Sequence, residues 1–225
     1  PLRQFIHVGM PCRVLHGPGC INSLGDELHR LNAERVLFCC TKSRLRAVNK
    51  LVDQLGNIVV GICDAAKIFV PIEVAEKGRS IASDKRADCL ISYGGGTAVG
   101  LAKSIALELD IPFISIVTTY SGSETTALQG IIGRDGVRTN YRSARMLAKT
   151  LFYDPELTLD LPLDVSIASG FNSISHAVSS FLGETANPVA DMYSENGIRT
   201  MSSALVKLAK NARDIEARSE AMHGA

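Results

Sequence analysis

The chain has 225 residues, 46% hydrophobic and 21% charged, a globular balance that allows a sizeable buried core. A net charge of +1 argues against a polyanionic partner such as nucleic acid. No apolar run approaches the ~18 residues that span a bilayer, and Pro1 to Arg13 lacks the basic-then-apolar layout of a signal peptide.

In chain order, the first weak signal is Gly17-Pro18-Gly19, a partial GxG that reads as a turn into a helix, since Pro18 removes a backbone donor. Gly19 to Leu31 carries Ile21, Leu24, Leu28 and Leu31 at helical spacing. Arg35 to Cys40 is a short apolar strand. Ser43 to Leu55 sets Leu45, Val48, Val52 and Leu55 on one helical face. Asn57 to Cys63 is a second strand, and Pro71 opens another helix. Asp88 to Tyr93 is a third strand, Thr97 to Leu109 a helix, and Pro112 to Val117 a fourth strand.

Strands alternating with helices of this length require crossovers and a parallel sheet. The continuous apolar strands fit a sheet covered on both faces. Residues from about 18 to 118 therefore read as a doubly wound α/β fold. Gln129 to Arg145 is polar and glycine-containing, a hairpin or loop excursion. Beyond Asp160-Leu161-Pro162 the texture turns helical, with Val165 to Leu182 and Val189 to Lys210 parted by Asn187-Pro188, and a further helical segment from Asp214 to Met222. The expected division is an α/β dinucleotide-binding domain over 1–160 and the start of an all-α domain over 161–225, which reads as incomplete because so few helices hardly bury their own apolar faces. The six cysteines, Cys12, Cys20, Cys39, Cys40, Cys63 and Cys89, form no CxxC pair and read as free thiols in a reducing cytoplasm.

The strongest local signal is Gly94-Gly95-Gly96-Thr97, directly after a strand and before a helix. Glycines let a ligand approach the main chain. A helix N-terminus offers free amides and partial positive charge to a pyrophosphate, and Thr97 reads as its N-cap. Lys103, about two turns on, reaches a phosphate or structures the loop. An ordinary tight turn has the same composition. The ligand-binding reading is favoured by the hydroxyl-rich Thr118-Thr119-Tyr120-Ser121-Gly122-Ser123-Glu124-Thr125-Thr126 beyond the next strand, because ligands of doubly wound sheets bind at strand carboxyl ends.

Taken together, GGGTAVGLAKSIAL, PFISIVTTYSGSETT, KTLFYDPELTLDLP and SGFNSISHAVSSF resemble the iron-containing alcohol dehydrogenase superfamily, and within it the maleylacetate reductases. The resemblance implies an α/β nucleotide-binding domain followed by an all-helical domain, with the active site at their junction. It implies a homodimer that reduces maleylacetate, a small dicarboxylate, to 3-oxoadipate with NADH or NADPH in aromatic compound catabolism. It assigns the cofactor pyrophosphate to Gly94, Gly95, Gly96 and Thr97, and cofactor contacts to Thr118 and Thr119. Arg138 falls near a basic cofactor contact of some members. Thr41 takes the place where NAD-preferring relatives carry an acid. Being neutral, it does not repel a 2′-phosphate, and Lys42 either helps to bind one or is simply solvated.

Asn172 and His176 lie four apart on a predicted helix, sharing one face. In the metal-dependent branch of the resembled superfamily these positions are an aspartate and a histidine that ligate a divalent metal. Asn172 lacks the carboxylate, so the expected state is metal-free, with His176 binding a substrate carboxylate or relaying a proton. Tyr120 and Lys103 are further candidates to meet a dianionic substrate. A metal-dependent alcohol dehydrogenase, a non-catalytic nucleotide-binding remnant and a lyase such as dehydroquinate synthase are the rival readings.

Overall fold

The computed structural model describes residues 4–184 and 186–225. The first three residues of the segment read above for a signal peptide lie outside the described residues. The described residues divide into two compact units, an α/β unit of residues 12–117 and 123–153 and a helical unit of residues 4–11, 118–122, 154–184 and 186–225.

The α/β unit runs β1 (Arg13–His16), α1 (Leu24–Arg30), β2 (Val36–Cys39), α2 (Leu45–Leu55), β3 (Val59–Cys63), α3 (Ile72–Asp84), β4 (Cys89–Gly94), α4 (Gly96–Leu109) and β5 (Phe113–Val117). The hairpin β6 (Leu128–Ile132) and β7 (Arg138–Arg142) follows, then β8 (Thr150–Tyr153). Six strands form one sheet in the order β1-β8-β5-β4-β2-β3, every neighbouring pair parallel. The doubly wound expectation is met. So is the excursion expected over Gln129 to Arg145, which is an antiparallel hairpin closed around Gly133–Gly136.

Why the sheet is covered on both faces follows from strand order. The chain moves one way along the sheet from β1 through β2 to β3, then back from β3 through β4 to β5. Right-handed crossovers therefore put α1 and α2 on one face, α3 and α4 on the other. Residues of β2, β4 and β5 are buried throughout, as parallel strands under two helical layers should be. The α3–α4 contact is close because Gly78 has no side chain: a Cβ there would lie 2.8 Å from Ile105 Cδ1. Between β4 and β5, Ser92 and Ser115 face each other in register and share a 2.9 Å hydroxyl hydrogen bond, which satisfies two buried polar groups at once.

At the amino ends of the strands, Glu27 of α1 ties three elements together. Its carboxylate accepts from Arg13 of β1 at 2.8 Å, Arg30 at 2.9 Å and Thr150 of β8 at 2.9 Å. Burial pushes its carboxyl upward, but the bonds from Arg30, Thr150 and Arg13 outweigh that and hold it below the usual carboxylate range.

The helical unit contains α5 (Leu163–Leu182), α6 (Pro188–Lys210) and α7 (Ile215–Gly224). Asn187 caps α6, its Oδ1 accepting from the amides of Val189 and Ala190 with Pro188 at the first helical position. Asp214 caps α7 in the same way. Gly170 lets α5 meet α6 closely, since a Cβ there would lie 2.8 Å from Leu205 Cδ2. Met201, Ala204, Leu205 and Leu208 of α6 and Ala217, Ala221 and Met222 of α7 are buried. Among the described residues no helix is long and apolar enough to cross a membrane.

Candidate functional site

Strand order locates the site within the α/β unit. β2 and β4 are hydrogen-bonded neighbours, yet the helix after β2 leads to β3 on one side and the helix after β4 leads to β5 on the other. This reversal is a topological switch point, and it leaves a crevice at the carboxyl ends of those two strands. Thr41 follows β2, and Gly94–Thr97 closes β4 and starts α4.

Gly94, in register with Val117, has φ +144°, and a Cβ there would lie 3.1 Å from Ala98 Cβ. Only glycine sits there without strain. The helix cap is Gly95, extended at φ −97° and ψ −159°, and α4 begins at Gly96. This corrects the expectation of Thr97 as cap: three consecutive glycines let the backbone enter the helix before the threonine, which falls in the first turn. The amides of Ala98 and Val99 donate to Gly95 O, those of Gly96 and Thr97 lie ahead of the first intrahelical bond, and no acidic side chain stands in this turn to repel an anion. On these observations the turn fits a phosphate group. Thr41 is the cap position of the short 3-10 turn Lys42–Arg44, and its hydroxyl shares a 2.9 Å hydrogen bond with that of Ser43. Lys42 is exposed.

Of the two readings of Lys103, the geometry gives the structural one. The side chain is fully buried, and its ammonium donates to Ser123 O, Thr126 Oγ1 and Leu128 O. Those bonds match the three donors an ammonium has, so the residue fixes the loop from Ser123 to Leu128. Burial pulls its pKa down to about 8, with the Glu124 charge opposing. Glu124, also buried, accepts a 2.8 Å hydrogen bond from the Tyr153 hydroxyl on Oε1, while its Oε2 has no partner. Burial pushes the Glu124 carboxyl up, and it pushes the Tyr153 phenol well above its ordinary range. The sequence reading passed over this pair. Nothing local in GSETT marks its one acid as buried.

Within the helical unit, the segment after β5 presents hydroxyls. Thr118 Oγ1, Thr119 Oγ1 and Ser121 Oγ are buried without a hydrogen-bond partner. Three orphaned donors in four residues are unusual in a folded chain and suit a polar ligand. Tyr120 between them points inward: it is fully buried, and its hydroxyl bonds to Thr158 and Arg218. Tyr120 and Lys103 are thus not free to meet a substrate, contrary to the sequence expectation. The Tyr120 amide donates to Ser169 Oγ of α5 at 3.0 Å. Ser169, Asn172 and His176 are spaced i, i+3 and i+7, one face of that helix. The structure therefore brings the segment holding Thr118 and Thr119 onto the α5 face that carries the exposed Asn172 and His176.

Arg138 opens β7 in the α/β unit, exposed, its guanidinium lying across Gly130. For a metal, Asn172 and His176 offer one amide and one imidazole, short of the charged set a dication favours. Among the described residues no group of three or more His, Cys, Asp or Glu could hold a metal ion. No disulfide joins any of the cysteines, and burial raises Cys40 to about 11 and Cys89 to about 12, so these two thiols are inert packing groups.

Residues 11–155 match the iron-containing alcohol dehydrogenase family, and residues 166–225 match the C-terminal part of the same family. The chain is 41% identical to a maleylacetate reductase of Burkholderia cepacia, over 100% of this chain and 63% of that protein. It is 36% identical to one of Sphingobium indicum, over 98% and 62%. The crystal structure of maleylacetate reductase from Rhizobium sp. strain MTP-10005 superposes with a TM-score of 0.95 at 34% identity, covering 99% of this chain and 63% of that one. The chain thus spans less than two thirds of the length of the relatives it matches.

Proposed function

The chain belongs to the iron-containing alcohol dehydrogenase family, and from that premise we propose that it is the nucleotide-binding part, with the opening helices, of an NADH- or NADPH-dependent maleylacetate reductase. The observation that carries this reading is the switch point between β2 and β4, with the glycine turn at one strand end and Thr41 at the other. The whole-chain identities to maleylacetate reductases support the substrate.

When bound, the nicotinamide supplies the hydride. The chain holds and orients. Main-chain amides at the start of α4 hold the pyrophosphate, and the absence of a side chain on Gly94 admits it. The hydroxyls of Thr118, Thr119 and Ser121 donate to polar groups of the nucleotide. Thr41, neutral at the end of β2, accepts either ribose chemistry, so NADH and NADPH both fit. Lys103 holds the loop from Ser123 to Leu128 and acts through it. On α5, His176 binds a substrate carboxylate or passes a proton to the substrate, and Asn172 supplies an amide beside it. No catalytic metal enters this reading. We place the protein in the reducing cytoplasm, where its six thiols persist, as a homodimer.

The test is direct. A full-length version of the protein is mixed with NADH and maleylacetate, and absorbance at the nicotinamide band is followed. Turnover without added iron or zinc is the expected result. Activity that appears only with added metal would favour an alcohol dehydrogenase instead. Failure of the folded protein to bind either nucleotide would end the proposal.

A further inference from the structure

Arg218 of α7 is a fully buried guanidinium, and no acidic side chain pairs with it among the described residues. All its bonds go to neutral acceptors. Nε and Nη2 donate to Ala212 O, Nη2 also to Leu161 O, and Nη1 to Ser166 Oγ at 2.7 Å and Tyr120 Oη at 3.0 Å. Five bonds match the five N–H groups of arginine, and a lysine ammonium would satisfy at most three. Burying a charge without a counter-charge is costly. Leu161, Ala212 and Ser166 belong to the packing of the helices. The Tyr120 bond reaches a different object, the segment of residues 118–122.

Tyr120 is held at its amide by Ser169 and at its hydroxyl by Arg218 and Thr158. The residues on either side carry the orphaned hydroxyls of Thr118, Thr119 and Ser121. With the central side chain fixed, those hydroxyls are aimed in advance, and the ordering entropy is spent on folding rather than on binding. We propose that Arg218 is a positioning residue for nucleotide binding, setting the Thr118–Ser121 segment through the Tyr120 hydroxyl. This rests on the reading that the segment contacts the nucleotide.

The experiment measures NADH affinity by fluorescence titration and local order by hydrogen–deuterium exchange, on the protein and on Arg218→Lys, Tyr120→Phe and Ser166→Ala. Arg218→Lys and Tyr120→Phe should each weaken NADH binding about tenfold, with faster exchange confined to residues 118–122. Ser166→Ala removes one bond to the guanidinium but none to the segment, and should bind NADH like the parent. Unchanged affinity in both Arg218→Lys and Tyr120→Phe overturns the inference. So does loosening spread through α5, α6 and α7, with affinity lost in Ser166→Ala as well, which would mark a purely structural residue. If the parent protein binds neither nucleotide, the cofactor reading fails separately, and the exchange data still decide. Localised loosening at 118–122 in Arg218→Lys then supports the positioning role, and unaltered exchange there ends it.

Discussion

Single residues set the terms of this site. Gly94→Ala places a side chain at φ +144° and against Ala98, so NADH affinity should fall by at least about tenfold, with a stability cost of roughly 1 kcal/mol or more. Fluorescence titration and thermal melts check both. Lys103 predicts a pH signature. Its pKa is about 8 in the folded chain against 10.5 ordinarily, so between those values the unfolded chain binds more protons and stability rises with pH. The buried cysteines, raised from 9, act in the opposite sense. Comparison with Lys103→Met cancels them. The stability gap between the two proteins should widen by about 1–3 kcal/mol from pH 8 to 10, and denaturant titrations at the two pH values measure it. A gap that stays constant would mean that the lysine is not held this way. The glycine turn was legible in sequence because three glycines stand directly between an apolar strand and a helical stripe. The buried state of Glu124, Tyr120 and Arg218 was not, because burial is decided by distant segments.

At the scale of elements, polar keystones hold parts that propensity alone leaves loose. Glu27 joins β1, α1 and β8 at the strand amino ends, away from the carboxyl ends where the glycine turn lies. Its lowered pKa contributes stability that is present above the ordinary carboxylate value and lost as pH falls through the folded one. Glu27→Gln should lower stability by roughly 1–2 kcal/mol and blunt the acid dependence below about pH 4.5, while NADH affinity stays at the parent value. Asn187→Ala should cost about 1 kcal/mol through the lost α6 cap, read from the melting temperature. The alternation of apolar runs and helical stripes announced the elements from α1 to β5, and proline and asparagine announced α6. β1 escaped because it is largely exposed and shows no buried apolar run; β8, though as short and as buried as β2, lies outside the regular alternation of strands and helices that marked β2. Their pairing is also non-local, which no window of sequence reveals.

Over the whole chain, the balance of buried and exposed surface carries a further expectation. In the helical unit Phe171, Leu182, Met192 and Tyr193 are each more than 60% exposed, more apolar surface than isolated exposed residues account for. Folded protein should bind the dye ANS, and combined Phe171→Ser and Tyr193→Ser substitution should lower that fluorescence with little change in melting temperature. Absence of dye binding would show these side chains to be covered in solution. The central strands of the α/β unit are buried throughout.

Strand order also has a consequence for birth on the ribosome. Among the described residues β1 pairs only with β8, Arg13 opposite Thr150, so this strand is docked only once β8 has been synthesised. Until then it leaves the tunnel as an unclaimed ribbon, a handle for chaperones and a target for proteases. Pulse-labelled nascent chains halted before residue 150 should be cut near Arg13, and chains halted well beyond Tyr153 should resist.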